Sequence, residues 1–219
     1  MDYERDTRLA YKSLTKAQSY KKLQTRGFNW ARLTTWRSNW CVEKALRKCH
    51  LTGSDRILDI PCGTGILANV LQKFPSTTIA SDISKDMMNL ALEDYRKTRL
   101  AGFVQSDITK TPFKNNSFQC IITLGLMHRL PEDIRNLVLE EISSLSNNYV
   151  IVSYSIDSPY QRIKKSLLKR LRSAYDPAPV AITLENILAE LDLGGLMIRE
   201  KYSIMPFFSA VVIFLLEKQ

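Results

Sequence analysis

Short apolar runs alternate with segments of helical periodicity through most of the chain. Residues 56–60 form a brief apolar run bounded by charge before and glycine after, which is typical of a buried strand. Apolar residues then recur at helical spacing over 65–73. The same pattern predicts further strands at 77–81, 102–105, 118–124 and 148–154, and helices at 84–97, 131–145 and 183–193. Such alternation indicates a parallel sheet with helices on both faces.

The two ends of the chain depart from this alternation. Few helix breakers interrupt the first fifty residues, which predicts helices over 11–24 and 29–50. Near the other end, predicted strands at 196–204 and 210–217 are close enough in sequence to pair as antiparallel neighbours. We therefore expect an N-terminal helical extension at 1–50 and one α/β domain at 51–219.

A glycine turn separates the first strand from its helix in "RILDIPCGTGILANVLQKF", residues 56–74. Gly63 and Gly65 allow tight, positive-φ backbone, and strand, glycine turn and helix in this order make a nucleotide-type site. A phosphate loop is excluded because it needs Gly-Lys-Ser/Thr, whereas Ile66 follows Gly65. A dinucleotide site stays open, since "GTGILA" fits G-x-G-x-x-A and Asp82 lies 19 residues after Gly63.

Acidic residues mark the ends of three successive predicted strands. Asp59, Asp82 and Asp107 stand at the ends of the first, second and third strands, so they should line one edge of the sheet. An anionic side chain at Asp59, just before the turn, suits a cation better than a pyrophosphate. A ligand with a sulfonium, an α-amino group, ribose hydroxyls and an adenine amino group, but no phosphate, matches this edge. S-adenosylmethionine is such a ligand.

The chain resembles the class I S-adenosylmethionine-dependent methyltransferases in "RILDIPCGTG", "IASDISKDMMNLA" and "GFVQSDITKTPFKNNSFQCIITLGLMHRL". Order and spacing match over roughly residues 50–155, and the C-terminal strand pair also fits. The resemblance implies a three-layer αβα, Rossmann-like fold whose seven-stranded sheet is mostly parallel, with the last strand antiparallel beside the sixth. It also implies S-adenosylmethionine as the cofactor, S-adenosylhomocysteine as the product and no metal.

The resemblance assigns roles residue by residue. Asp59 should engage the methionine amino end, Asp82 both ribose hydroxyls, and Asp107 the adenine amino group. The other implied cofactor contacts are Pro61, Cys62, Gly63, Thr64 and Gly65 in the loop, Ile83, Met87 and Ile108 near the adenine, and Leu124 and Gly125 after the fourth strand. Pro61 departs from the family pattern, where a first glycine is common, and Cys120 stands where many relatives have an acid.

The segment after the fourth strand, "TLGLMHRLPED", bears on the methyl acceptor. It lacks the Asn/Asp-Pro-Pro-aromatic motif and the Pro-Cys pair, so it looks more like small-molecule methyltransferases, including quinone- and lipid-modifying relatives. His128 in this segment is a candidate general base or acceptor-orienting group. An RNA methyltransferase and a catalytically idle methyltransferase-fold protein that partners another enzyme stay open as alternatives.

Basic residues concentrate in two segments of a chain whose net charge is +9. Residues 1–48 hold twelve Lys/Arg against four Asp/Glu, and residues 161–173 hold six basic residues and no acid. These segments could meet an anionic membrane surface or nucleic acid, or form ordinary solvated helix faces. The helical N-terminus should form a lid. Its aromatic residues could wall a pocket, and we expect most of them to fix the helices to the sheet: Tyr11, Tyr20, Phe28, Trp30 and Trp36.

Other features indicate the cellular setting. The first ten residues are charged, which predicts no signal peptide, and the longest apolar run falls far below the ~20 residues of a membrane span. The four cysteines show neither metal spacing nor a disulfide framework. We expect a cytoplasmic protein, with a peripheral position at a membrane surface as an option.

Overall fold

A computed structural model describes residues 14–25, 29–157, 181–206 and 208–219, and strands in these ranges form one sheet. The strands are β1 Arg56–Asp59, β2 Thr77–Asp82, β3 Leu100–Gln105, β4 Phe118–Thr123, β5 Ser146–Ser155, β6 Leu196–Ser203 and β7 Val211–Lys218. The helices are α1 Leu14–Thr25, α2 Trp30–Lys48, α3 Ala68–Leu71, α4 Lys85–Tyr95, α5 Glu132–Leu145 and α6 Leu184–Leu193, with a 3₁₀ turn at Met127–Arg129. The basic segment at 161–173 lies outside the described residues.

The sheet has the strand order β3-β2-β1-β4-β5-β7-β6. Strands β1 to β5 are parallel to one another, whereas β7 is antiparallel to both β5 and β6 and lies between them. This arrangement confirms the mostly parallel seven-stranded sheet and the antiparallel last strand. Because β1, β2 and β3 are neighbours, their carboxyl ends meet at one edge, as the three strand-end acids predicted.

Two hydrophobic clusters bury the two faces of the sheet. Ile57 and Ile122 contribute to one cluster together with α2, α3 and α4. Leu58 and Ile121, their neighbours along β1 and β4, contribute to the other together with α5 and α6. Successive side chains of a strand point to opposite faces, so a strand covered on both faces is apolar at consecutive positions. The three-layer αβα arrangement is thereby confirmed.

Local backbone and side-chain geometry explains where α2 begins and why α3 is short. Helix α2 begins after Asn29, whose side chain accepts a hydrogen bond from the Arg32 amide at 2.8 Å. Helix α3 was predicted over 65–73 but spans Ala68–Leu71. Gly63 and Gly65 have φ angles of +53° and +85°, so the chain is still turning where the helix was expected to start. None of the described helices combines the length and apolar content needed to cross a bilayer.

Candidate active site

A cavity of about 380 Å³ lies at the carboxyl ends of β1 and β4. The glycine turn, the segment after β4, the β6–β7 region and the two N-terminal helices all contribute to its lining. Eight of the sequence-predicted site residues line it: Asp59, Pro61, Cys62, Gly63, Thr64, Leu124, Gly125 and His128. The cavity therefore joins the glycine turn to the candidate chemistry after the fourth strand.

Asp59 is buried at the end of β1 and hydrogen-bonded to a residue that sequence reasoning missed. The Tyr95 hydroxyl, on the last turn of α4, donates to Asp59 Oδ2. Burial raises the pKa of Asp59 to about 7; the nearby Asp82 charge also raises it, and the Tyr95 hydrogen bond opposes the shift. Asp59 can therefore exchange a proton near neutral pH. In the sequence, the helical spacing of Met88, Ala91 and Tyr95 could have identified Tyr95 as a buried residue of α4.

Asp82 ties the glycine turn to the end of β2. Its Oδ2 accepts a hydrogen bond from the Gly63 amide at 2.8 Å, and its Oδ1 accepts one from the Ser84 amide at 2.8 Å. Burial raises the pKa of Asp82, while backbone N–H groups of Ser84, Gly63 and Ile83 oppose the shift. Each carboxylate oxygen has two lone pairs, so both oxygens keep capacity for a ligand hydroxyl.

The other predicted adenosine contacts lie outside the cavity lining. Asp107 Oδ1 accepts hydrogen bonds within its own turn, from the Thr109 amide at 2.9 Å and the Thr109 hydroxyl at 2.8 Å. Ile108 and Met87 are buried, and Ile83 is half-buried. Of the three strand-end acids, Asp59 alone among the described residues lines the cavity.

The two glycines of the turn meet different requirements. A Cβ on Gly63 would meet no atom within 4 Å, so its missing side chain leaves open space beside the cavity. A Cβ on Gly65 would lie 2.9 Å from Ala91 Cα, so this glycine allows α4 to approach the turn. Gly63 is thus the residue that leaves room for a ligand, and Gly65 the one that permits close helix packing.

His128 lies in the 3₁₀ turn after β4, is buried, and lines the cavity. Burial lowers its pKa to about 4, and the neighbouring Arg129 charge adds to the shift, so the imidazole is neutral at physiological pH. Its Nδ1 has no hydrogen-bond partner among the described residues, and neither have Gln24 Oε1 and Thr64 Oγ1 in the same lining. Buried polar atoms are normally paired, so these three atoms are available to a ligand.

The N-terminal helices form one side of the cavity. Polar residues of α2 line it, namely Thr34, Thr35, Ser38 and Asn39, and the next two turns are buried in the core through Cys41, Val42, Ala45 and Leu46. Asn39 Nδ2 donates to the Ile66 carbonyl at 3.2 Å, and Arg37 Nε donates to the Ile204 carbonyl at 3.0 Å. Helix α1 is held through Lys21, which bonds Asp94 on α4 at 2.6 Å. These contacts fix both helices beside the glycine turn.

The expectation that aromatic side chains fix these helices to the sheet is wrong for Trp30 and Trp36. Trp30 is 52% exposed at the edge of the cavity, and Trp36 is 60% exposed. Small side chains on the opposite side of α2 make the helix–sheet contact instead. Tyr11, Phe28 and the side chain of Tyr20 lie outside the described part of the structure.

The described residues support neither a metal centre nor a nucleophilic cysteine. No group of three or more His, Cys, Asp or Glu side chains there is arranged to hold a metal ion. All four cysteines, including Cys62 in the cavity lining, are free and buried. Burial raises the pKa of Cys62 well above its usual range, with the Asp59 and Asp82 charges adding to the shift, so its thiol is not an activated nucleophile.

The sheet order, the glycine turn and the strand-end acids agree with the resemblance to the class I S-adenosylmethionine-dependent methyltransferases. Residues 57–148 match the sequence model of a methyltransferase domain family. The match covers less than half of the chain and supports the methyltransferase family that the resemblance predicted.

Curated relatives include two ubiquinone/menaquinone biosynthesis C-methyltransferases. The UbiE protein of Coxiella burnetii strain Dugway is 28% identical over 144 residues, which cover 63% of this chain and 54% of the relative. That of Ectopseudomonas oleovorans is 34% identical over 86 residues, which cover 36% of this chain and 51% of the relative. The chain thus spans about half the length of the curated relatives it matches.

Solved structures share the fold along nearly the whole chain. One of them is magnesium protoporphyrin IX methyltransferase of Synechocystis PCC 6803 with bound S-adenosylhomocysteine. Its TM-score is 0.79 at 17% identity, and the alignment covers 99% of this chain and 100% of that chain. A methyltransferase of Clostridium acetobutylicum has a TM-score of 0.65 at 18% identity, covering 93% of this chain and 98% of its own. At these identities the likeness concerns the fold.

Proposed function

We propose that the protein transfers the methyl group of S-adenosylmethionine to a small or lipid-like, quinone-type acceptor. The observation that carries the proposal is the cavity, which joins the glycine turn, Asp59 and the neutral His128 in one space. The curated relatives named for ubiquinone and menaquinone biosynthesis support the acceptor class.

The residues present fit the cofactor. Asp59 offers a carboxylate to the α-ammonium group, Gly63 leaves space where a side chain would intrude, and Thr64 offers a buried hydroxyl that has no hydrogen-bond partner among the described residues. Asp82 would hold the ribose hydroxyls, and Asp107 the adenine amino group. The supporting contacts we propose are Pro61, Cys62, Gly65, Ile83, Met87, Ile108, Leu124 and Gly125. When bound, the cofactor supplies an electrophilic methyl group on a sulfonium.

The chain's own part is to orient the acceptor and exclude water. His128 Nδ1, buried and neutral, accepts a hydrogen bond from a hydroxyl of the acceptor and turns the reacting atom toward the methyl group. With its pKa near 4, His128 acts mainly through this hydrogen bond. Asp59 is the one charged residue among the described residues of the lining, so the cavity favours an acceptor whose reacting ring is uncharged.

Titration calorimetry with S-adenosylmethionine, S-adenosylhomocysteine and NADH tests the cofactor. We expect micromolar binding of the two sulfur ligands and none of NADH. Asp82→Ala should weaken binding by about tenfold or more, because it removes a buried hydrogen-bond acceptor. Asp192→Ala, an exposed acid on α6, is the matched control and should bind as the native protein does. Binding of NADH without binding of either sulfur ligand would contradict the proposal and indicate a dinucleotide-dependent enzyme.

A transfer assay with radiolabelled S-adenosylmethionine tests the acceptor. We expect methylation of quinols or phenols, and none of RNA. His128→Ala should lower kcat by roughly 10²-fold with cofactor affinity unchanged, since the side chain acts on the acceptor. Undiminished turnover by this variant would remove the role of His128. Cofactor binding without transfer to any acceptor would favour an idle partner protein.

A further inference from the structure

Helix α2 has an inverted polarity over its first three turns. Most surface helices turn apolar residues to the core and polar residues to solvent. In α2 the polar residues Thr34, Ser38 and Asn39 face the cavity. The large apolar residues face solvent instead: Trp30 is 52% exposed, Leu33 39%, Trp36 60% and Trp40 38%. We call these four residues the tryptophan face.

Cations surround the tryptophan face. Lys44 Nζ lies 3.9 Å from the centre of the Trp40 ring, and Arg37 Cζ lies 4.5 Å from the same ring. The helix carries five basic residues and one acid, a net charge of +4. That acid, Glu43, is paired with Arg47 at 2.6 Å and with Lys73 at 2.7 Å. The exposed surface of α2 is therefore both apolar and positively charged.

The tryptophan face borders the cavity. Trp30 belongs to it and also lines the cavity. Its ring makes an edge contact with Phe208, at 6.4 Å between ring centres, and Phe208 is itself 59% exposed. An object bound to this face would therefore lie beside the cavity.

We propose that the tryptophan face docks on an anionic phospholipid bilayer. Tryptophan rings are amphipathic and favour the level of the lipid headgroups, while lysine and arginine pair with lipid phosphates. Single-stranded RNA would need free ring faces for base stacking. Arg37 and Lys44 both lie over the Trp40 ring, which favours the bilayer. If the function proposed above holds, docking brings a lipid-like acceptor beside the cavity.

Vesicle co-sedimentation of the full chain tests the docking without requiring methyl transfer. Vesicles of phosphatidylcholine with phosphatidylglycerol should bind the native protein, and vesicles of phosphatidylcholine alone should bind it much more weakly. Leu33→Ser with Trp36→Ser should lower partitioning by about tenfold or more. Lys44→Gln should lower it by about fivefold, and added salt should weaken it further.

Two controls accompany this experiment. Leu188→Ser with Leu193→Ser removes two exposed leucines of α6, 48% and 80% exposed, and should leave partitioning unchanged. Cofactor affinity of the Leu33/Trp36 variant should equal that of the native protein, because neither residue lines the cavity, and this shows that the variant is folded. Equal losses in both double variants, native-like partitioning of the Leu33/Trp36 variant, or loss of RNA binding instead of vesicle binding would overturn the proposal.

Discussion

The buried Asp59–Tyr95 pair leads us to predict that cofactor affinity depends on pH near neutrality. In the proposed function, the α-ammonium group of S-adenosylmethionine pairs with the ionised carboxylate of Asp59, and burial raises the pKa of that carboxyl to about 7. Below this pH, Asp59 holds a proton and the ion pair is lost. We therefore predict that affinity falls as the solution is acidified through neutrality, a range in which ordinary aspartates remain ionised.

The size of the effect follows from the ionised fraction. With a pKa of about 7, roughly 3% of Asp59 is ionised at about pH 5.5 and roughly 75% at about pH 7.5. The dissociation constant should therefore rise roughly twentyfold over this range. Tyr95→Phe removes a hydrogen bond that favours the ionised form, so it should shift the transition to higher pH.

Titration calorimetry across this pH range measures the effect directly. Asp59→Asn is the control: it keeps an oxygen that can accept from Tyr95 but cannot ionise, so its weaker affinity should not change through neutrality. A flat profile for the native protein would refute the reasoning. An equally steep profile for Asp59→Asn would also refute it, because another group would then carry the titration.

Three further predictions concern stability. Because the folded-state pKa of Asp59 lies above the ordinary 3.8, the free protein loses stability as pH rises from about 4 to about 7. Asp59→Asn should therefore raise the free energy of unfolding by roughly 2–4 kcal/mol at about pH 8, measured by urea titration. A free energy of unfolding below that of the native protein would contradict this. Gly65→Ala should lower the melting temperature through a clash with Ala91 costing about 1–3 kcal/mol, and an unchanged melting temperature would contradict the close contact. Arg135 and Glu190 form a buried ion pair at 3.0 Å between α5 and α6. Arg135→Leu alone should therefore lower the free energy of unfolding in urea by about 3–5 kcal/mol, and adding Glu190→Leu should recover much of that loss. Additive losses in the double variant would contradict the pairing.

Much of the fold could be predicted because its strands are buried on both faces. In β1, Ile57 and Leu58 supply opposite clusters, so the strand appears in the sequence as an unbroken apolar run. The C-terminal pair was predictable from its short connection. The length of α3 was not, because the positive φ angles of Gly63 and Gly65 extend the turn into the segment with helical spacing.

The site was predictable where it depends on strand ends, and less so where it depends on contacts between distant elements. Parallel strands bring Asp59 and Asp82 to one edge of the sheet whatever the loops do. The Tyr95 hydrogen bond depends on how α4 lies across the sheet, and Tyr95 is 36 residues from its partner. No local pattern contains that information, although the helical spacing does mark Tyr95 as buried.

The wrong prediction for the tryptophans of helix α2 is itself useful for inferring function. The ordinary rule assigns its tryptophans to the helix–sheet contact, and the rule fails because Cys41, Val42, Ala45 and Leu46 already make that contact with small and medium side chains. The tryptophans are then left partly on the surface, where their exposed aromatic area is not buried against the core. A helix whose inward residues line a cavity and whose outward residues are Trp, Leu, Arg and Lys is better explained by two ligands than by one core. The proposed acceptor site and the proposed membrane-docking face are therefore best tested together, on the same variants of α2.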